Sequence, residues 1–178
     1  MKPQVPIDVD EVTGVWKTDG LPMLYLPRHF FVNNHSAIEA ALGREVYAAQ
    51  LYESGYRSAY FWCEEAAGHH RQRGLDVFLR YLERLSQRGW GKFSMVASNA
   101  AEGTADIRLE HSLFVLGLPG QKGKLCYMFE GWFAGAMDWV RKDMGLPATS
   151  KSVETQCAGE GHTFCLFAVR PGSASPAE

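Results

Sequence analysis

Charge of one sign is missing from this sequence. Its 18 basic and 20 acidic residues leave a formal net charge of −2 and are interspersed along the chain, so no positive field is available to hold a nucleic-acid backbone. Nucleic acid is therefore not an expected partner. Long apolar runs are missing too: none approaches the roughly 18 residues that cross a bilayer. Residues 1–10 lack the basic start and apolar stretch of an export signal. The expectation is a soluble, cytoplasmic protein with no membrane partner. Cysteine is scarce, four in 178 residues. That is too few for a disulfide scaffold and agrees with thiols kept reduced for packing or for a metal. Catalytic signatures are also wanting. Gly117-Leu118-Pro119-Gly120 and Gly159-Glu160-Gly161 lack the strand-loop-helix setting of a phosphate loop. No nucleophile elbow, Ser/His/Asp order or paired-carboxylate motif stands out, so the chain reads as a binding domain before it reads as an enzyme.

With 46% hydrophobic residues, the chain can bury one core and is short for two. Pro3 and Pro6 mark residues 1–10 as a flexible arm, and the Ser/Ala/Pro composition of 171–178 marks a disordered tail. A single domain is expected over 11–170. Thr18-Asp19-Gly20 reads as a turn between two short strands. Ser36-Ala37-Ile38-Glu39 has capping-box form and predicts a helix start there. Gly43 interrupts that helix, and Val46 to Ala66 continues as a long core helix broken at Gly68-His69-His70-Arg71. Leu75, Phe78, Leu79, Leu82 and Leu85 define a third helix, closed by Gly89. Strands are predicted at Phe93 to Ser98 and Ala105 to Val115. A helix over Leu125 to Met144 ends at Gly145 and Pro147. The order favours an α+β domain, an antiparallel sheet packed with helices, over alternating βαβ units.

Two of the four cysteines flank a Gly-rich turn in Glu154-Thr155-Gln156-Cys157-Ala158-Gly159-Glu160-Gly161-His162-Thr163-Phe164-Cys165. The flanking runs have strand composition, which puts Cys157 and Cys165 on one face of a hairpin. Glu154 has the opposite parity and can join them only through a bend or bulge. A buried cysteine is more often inert packing than a ligand, and Cys63, on the face of the long helix with Tyr56, Ala59 and Tyr60, reads that way. His162 lies in the turn and ranks below Glu154 as a ligand. His69 and His70 are adjacent on a helix, point about 100° apart and read as a solvated helix end.

The segment from Cys126 through Gly131-Trp132-Phe133-Ala134-Gly135, followed by Glu154, Cys157 and Cys165, resembles the vinyl-4-reductase-like small-molecule-binding domain. Regulators that sense phenols and toluenes carry such a domain, with one Cys, one Glu and two further Cys as zinc ligands. The resemblance spans about Ala41 to Val169 and is most specific in those ligands. It implies a zinc site formed by Cys126, Glu154, Cys157 and Cys165, over a longer Cys126-to-Glu154 interval than the family's. It also implies the fold shared with the ligand-binding domain of nitric-oxide sensors and with Golgi transport subunits, and a homodimer. A zinc held by four protein donors has no open position and is structural.

Tyr56, Tyr60, Trp132 and Phe133, with His111 on a predicted strand, are the candidate lining of an apolar pocket. An aromatic stripe at helical spacing is also what an ordinary core looks like. The His and Trp that contact the ligand hydroxyl in phenol-sensing relatives have no secure counterpart, so a phenol is not the obvious ligand. The leading expectation is a zinc-stabilised domain that binds a small hydrophobic or aromatic molecule, as a sensor or accessory protein working with a catabolic enzyme or regulator partner. The alternatives are a small enzyme or enzyme-assisting protein acting on a hydrophobic or methylated-amine compound, and an assembly scaffold.

Overall fold

The protein is α+β, with two antiparallel sheets packed against helices. The computed structural model describes residues 5–172; residues 1–4 of the expected arm and 173–178 of the expected tail lie outside them. Strands β1 (Asp8–Val9), β2 (Trp16–Thr18) and β3 (Leu21–Met23) make a small meander. Part of the expected arm is thus strand, because Asp8 and Val9 pair with Lys17 and Trp16. Helices α1 (Arg28–Leu42), α2 (Arg44–His70) and α3 (Leu75–Gln87) follow. Strands β4 (Lys92–Asn99) and β5 (Thr104–Glu110) lead to the short α4 (Leu113–Gly117) and to α5 (Met128–Asp143). Strands β6 (Ser150–Gln156) and β7 (Cys165–Pro171) close the second sheet, in the order β4-β5-β7-β6.

Three local readings give way to tertiary context. Helix α1 begins not at Ser36 but after Pro27, which holds φ −60° and ψ 135°. Upstream of Ser36, Phe31 packs against Phe114 and Val32 is buried beside Gly117, so core contact carries the helix past the capping box. Strand β5 stops at Glu110 instead of Val115. His111 takes a left-handed φ of 54°, and the Ser112 hydroxyl accepts the Phe114 N–H to start α4, a strong N-cap arrangement. Helix α2 runs through Gly68 to His70, since buried Ala66 and Ala67 outweigh the ~1 kcal/mol a helical glycine costs.

At the end of α2, Gly68 and His69 are exposed as the sequence suggests, but His70 is half-buried and paired. Asp19, buried in the β2–β3 turn, takes His70 Nε2 at 2.9 Å and both Arg84 Nε (2.8 Å) and Arg84 Nη2 (2.9 Å). This network fastens the small meander to α2 and α3. Burial alone would raise the Asp19 pKa, but the Arg84 and His70 hydrogen bonds hold it below the usual carboxylate range.

Helix α5 is the axis of the core, buried on nearly every side. Its Gly131 and Gly135 lie against the backbone of α2: a Cβ on either would fall on the carbonyl of Tyr52 or of Tyr56. Because 52 meets 131, 56 meets 135 and Tyr60 meets Lys142, the two helices run in the same direction. The inner face of the sheet matches this axis. Ala105, Ile107 and Leu109 of β5 pair with Val169, Phe167 and Cys165 of β7, all buried. Between helix and sheet, Phe129, Phe133, Phe93 and Phe167 meet with ring centroids 5.0 to 6.3 Å apart, mostly edge to face, the arrangement aromatic quadrupoles favour.

Strand β6 lies at one edge of the sheet, and its outward N–H groups are all taken. Ser150 N–H donates to Asp138 Oδ1 (2.7 Å), Ser152 N–H to the Tyr52 hydroxyl (3.3 Å) and Glu154 N–H to Glu130 Oε1 (2.7 Å). The partners come from α5 and α2, so the edge that carries Glu154 is bonded to the core helices.

Candidate metal centre

Four side chains from four places in the chain converge beside the start of α5. Cys126 sits just ahead of the helix, Glu154 on β6, Cys157 at the mouth of the β6–β7 turn and Cys165 at the start of β7. One donor atom from each lies within 4.8 Å of the others, and all four residues are buried. The parity problem posed by Glu154 is solved by a bulge. Glu154 faces inward in step with Ser150 and Ser152, the β6–β7 register shifts between Glu154 and Gln156, and the extra residue brings Cys157 to the same face.

The sulfurs are separated by distances too long for a bond between them. Cys165 Sγ lies 3.7 Å from both Cys126 Sγ and Cys157 Sγ. Around them the backbone is arranged to favour sulfur anions. Leu125 N–H and Gly159 N–H point at Cys157 Sγ (3.4 and 3.3 Å), Ala158 N–H at Cys165 Sγ (3.3 Å), and the Ser112 hydroxyl lies 3.0 Å from Cys126 Sγ. The turn that delivers these groups depends on Gly159, where a Cβ would crowd the Gly123 carbonyl and Leu125.

Glu154 supplies the test of whether the cluster suits a cation. Its Oε2 accepts the Cys126 N–H at 3.0 Å, whereas Oε1 is buried with no hydrogen-bond partner among the described residues. A buried carboxylate oxygen without a partner is costly. Burial, followed by hydrogen bonding and charge at Cys157, pushes the Glu154 carboxyl up to about 9. Hydrogen bonds from Cys126 and Cys165 pull Cys157 well below the ordinary thiol value, while Cys126 is driven far above it by its bonds to those two sulfurs and by burial. Three buried sulfurs beside an unpartnered carboxylate oxygen make a donor set that a cation would relieve. The cluster could hold a metal ion.

The remaining sites of interest are dispersed. Cys63 is fully buried in α2, outside the cluster, and burial raises its thiol pKa. His162 is exposed. The five residues read as pocket lining do not share one chamber. His111 is exposed at the end of β5. Phe133 is completely buried in the ring cluster. Trp132 is partly exposed and packs against Trp90, Tyr81 and Phe129. Tyr56 donates its hydroxyl to Asp138 at 2.7 Å, and Tyr60 lies by Lys142 on the outer α2/α5 seam. Helical spacing places such residues on a face, but not on the same side of a neighbouring helix.

A second buried polar cluster carries no sequence motif. His35 is buried on α1, with the Tyr47 hydroxyl 3.3 Å from Nδ1 and the Tyr127 hydroxyl 3.2 Å from Nε2. Tyr127 donates onward to Glu39 at 2.8 Å, and Glu39 pairs with Arg44 at 3.2 Å. This chain ties α1 and α2 to the loop that presents Cys126. Its only sequence signal is an apolar helix face with one histidine in it. Burial lowers the His35 pKa against the smaller opposing pull of Glu39. Below about pH 6.5 the unfolded chain therefore binds a proton that the folded one does not. Stability is expected to decline as pH falls through that value. The loss in urea midpoint between pH 7.5 and 5.5 should be smaller in His35→Gln, and an equal loss would remove His35 from the account.

Among solved structures, the chain is similar to the phenol-responsive sensory domain of the transcription activator PoxR, crystallised with phenol. The TM-score is 0.73 at 18% identity, over 93% of this chain and 84% of that one. It is also similar to trafficking protein particle complex subunit 3 from Naegleria fowleri, covalently bound to palmitic acid. There the TM-score is 0.57 at 11% identity, over 80% of this chain and 93% of that one. At such identities the likeness is one of fold. No curated protein matches the sequence. The family model that does match covers residues 1–96, from the first meander into β4, and ends before the first residue of the four-donor cluster. On that match the chain belongs to the family described as Domain of unknown function (DUF5943).

Proposed function

We propose that the chain is a small-molecule sensor domain of the vinyl-4-reductase-like kind, clamped by one structural zinc ion held by Cys126, Glu154, Cys157 and Cys165. The observation that carries this reading is the spacing of the sulfurs. Zinc–thiolate bonds of about 2.3 Å in a tetrahedron require sulfurs about 3.8 Å apart, and the two separations here are 3.7 Å. The unpartnered Glu154 Oε1 would fill the fourth corner. With four protein donors the ion would have no open position, so its contribution is to fasten the β6–β7 hairpin to the head of α5.

The ligand in this reading is a small hydrophobic or aromatic molecule entering beside Trp132, the partly exposed member of the ring cluster. Trp132 stands edge to face with Trp90 and Phe129 at 5.0 and 5.2 Å, and an incoming ring would make contacts of the same kind. Support comes from the shared fold with a domain named as phenol-responsive. The sensing unit is the single domain expected over 11–170, extended to take in β1 at Asp8–Val9, acting as a cytoplasmic homodimer that passes its state to a regulator or catabolic enzyme. Binding without turnover is the expected behaviour.

Titration with phenol, toluene and their methylated relatives, followed by tryptophan fluorescence and by product mass, tests this. At least one compound should bind saturably and be recovered unchanged, and Trp132→Ala should weaken it tenfold or more while zinc content stays constant. A flat response across the series would refute the sensor reading, and conversion of the bound compound would favour an enzyme.

A further inference from the structure

A surface cavity of about 570 Å³ lies on the outer side of the α2/α5 seam, away from the metal cluster and from Trp132. Its lining includes Tyr60, Glu64 and Gly68 of α2, Arg71 of the α2–α3 connection, and Trp139 and Lys142 of α5. The volume falls in the range of small-molecule sites, about 300 to 1,000 Å³.

Its charges do not cancel. Asp143 is consumed locally, by Arg73 Nη1 at 2.6 Å and by the Gly74 N–H at 2.8 Å. Glu64 and Lys142 line the same cavity with opposite charges, and the Lys142 ammonium stands 5.4 Å from the Tyr60 ring. Arg71 has no acidic partner among the described residues. It is also held at φ 54° and ψ 38°, a left-handed conformation that a residue with a Cβ adopts at an energetic penalty and that glycine usually fills after a helix. Strain of this kind gathers at ligand sites. The floor is aromatic: Trp139 is nearly buried, and its indole N–H makes no hydrogen bond to another described residue.

We propose that this cavity binds a small aromatic carboxylate. Arg71 takes the carboxylate through its paired N–H groups, and the ring lies against Trp139 and Tyr60. The site is independent of the sensor reading, because it shares neither Trp132 nor the metal ligands.

Benzoate is the probe, with phenol and benzylamine as the neutral and cationic counterparts. The readout is the set of five indole N–H signals in proton–nitrogen NMR spectra, with Trp139 assigned through Trp139→Phe. Benzoate should shift the Trp139 signal saturably and more weakly as salt rises, while phenol and benzylamine leave it in place. Arg71→Gln should reduce the affinity at least tenfold. Gly68→Leu provides an occluding variant that keeps the fold, since a Cβ at this helical position meets nothing within 4 Å; it should abolish the shift with unchanged thermal stability or a small gain. A Trp139 signal unmoved by benzoate, moved equally by benzylamine, or moved alike in Arg71→Gln and Gly68→Leu would each overturn the proposal. A shift confined to Trp132 would report the interior site and count against this one.

Discussion

Purified without chelators, the protein is expected to carry close to one zinc ion per chain, and Cys157→Ala or Cys165→Ala to lose both the ion and several kcal/mol of folding stability. The magnitude follows from linkage: the donors come from positions 126, 154, 157 and 165 and meet only in the folded chain, so metal-binding energy is folding energy. Removing one thiolate also strands the buried Glu154 carboxylate. Cys63→Ala is the control, a buried cysteine outside the cluster, and should leave the metal in place. Elemental analysis and urea unfolding of the three variants decide the matter. A folded wild-type protein free of zinc, or Cys157→Ala with metal retained, would return the four residues to ordinary packing.

The second large effect belongs to the helix pair. Gly131→Ala or Gly135→Ala should destabilise by about 4 kcal/mol or more, above the 1–3 kcal/mol usual for overpacking. The obstacle is a backbone carbonyl of α2 that cannot rotate aside. To admit the methyl group the helices would have to part, opening the packing of the aromatic cluster behind them. Gly68→Ala, in open space on the same α2, should instead gain up to ~1 kcal/mol. Equal midpoints for Gly131→Ala and the wild type would show that the helices are less tightly apposed than described.

These glycines show why the sequence was readable in some places and silent in others. Spacing alone put α3 and α5 within a few residues of their observed bounds, because a core stripe repeats at the helical period. The hairpin around Gly159 to Gly161 was legible for the same reason, as a local turn between β-prone runs. What Gly131 and Gly135 are for could not be read locally, since the group they avoid lies on a helix about 80 residues earlier. Ser36 misled because a capping box is only an option for the backbone, and Phe31 and Val32 gave the helix reason to begin sooner. His35 and Asp19 escaped notice because each draws its meaning from partners on other elements: Tyr47 and Tyr127 for one, His70 and Arg84 for the other. His111 was misplaced through two backbone angles, which period-two alternation does not encode. The ligand set became legible through family likeness, and the hairpin geometry by itself reached only Cys157 and Cys165.

The bonded edge of β6 bears on how copies of this protein meet one another. A strand whose outward N–H groups are already given to Asp138, Tyr52 and Glu130 has none of these donors to offer a strand from another molecule. Growth of the sheet on that side is opposed for as long as α2 and α5 stay docked. On the opposite side β4 has a single side-chain bond of this kind, from Phe93 N–H to the Ser86 hydroxyl, and its Ser94 to Ser98 stretch carries no charge. Extension of the sheet from one molecule into the next is less opposed at β4 than at β6. Loosening the helix pair, as by a methyl group on Gly131, would unseal the second edge and turn a capped sheet into one that can polymerise in both directions.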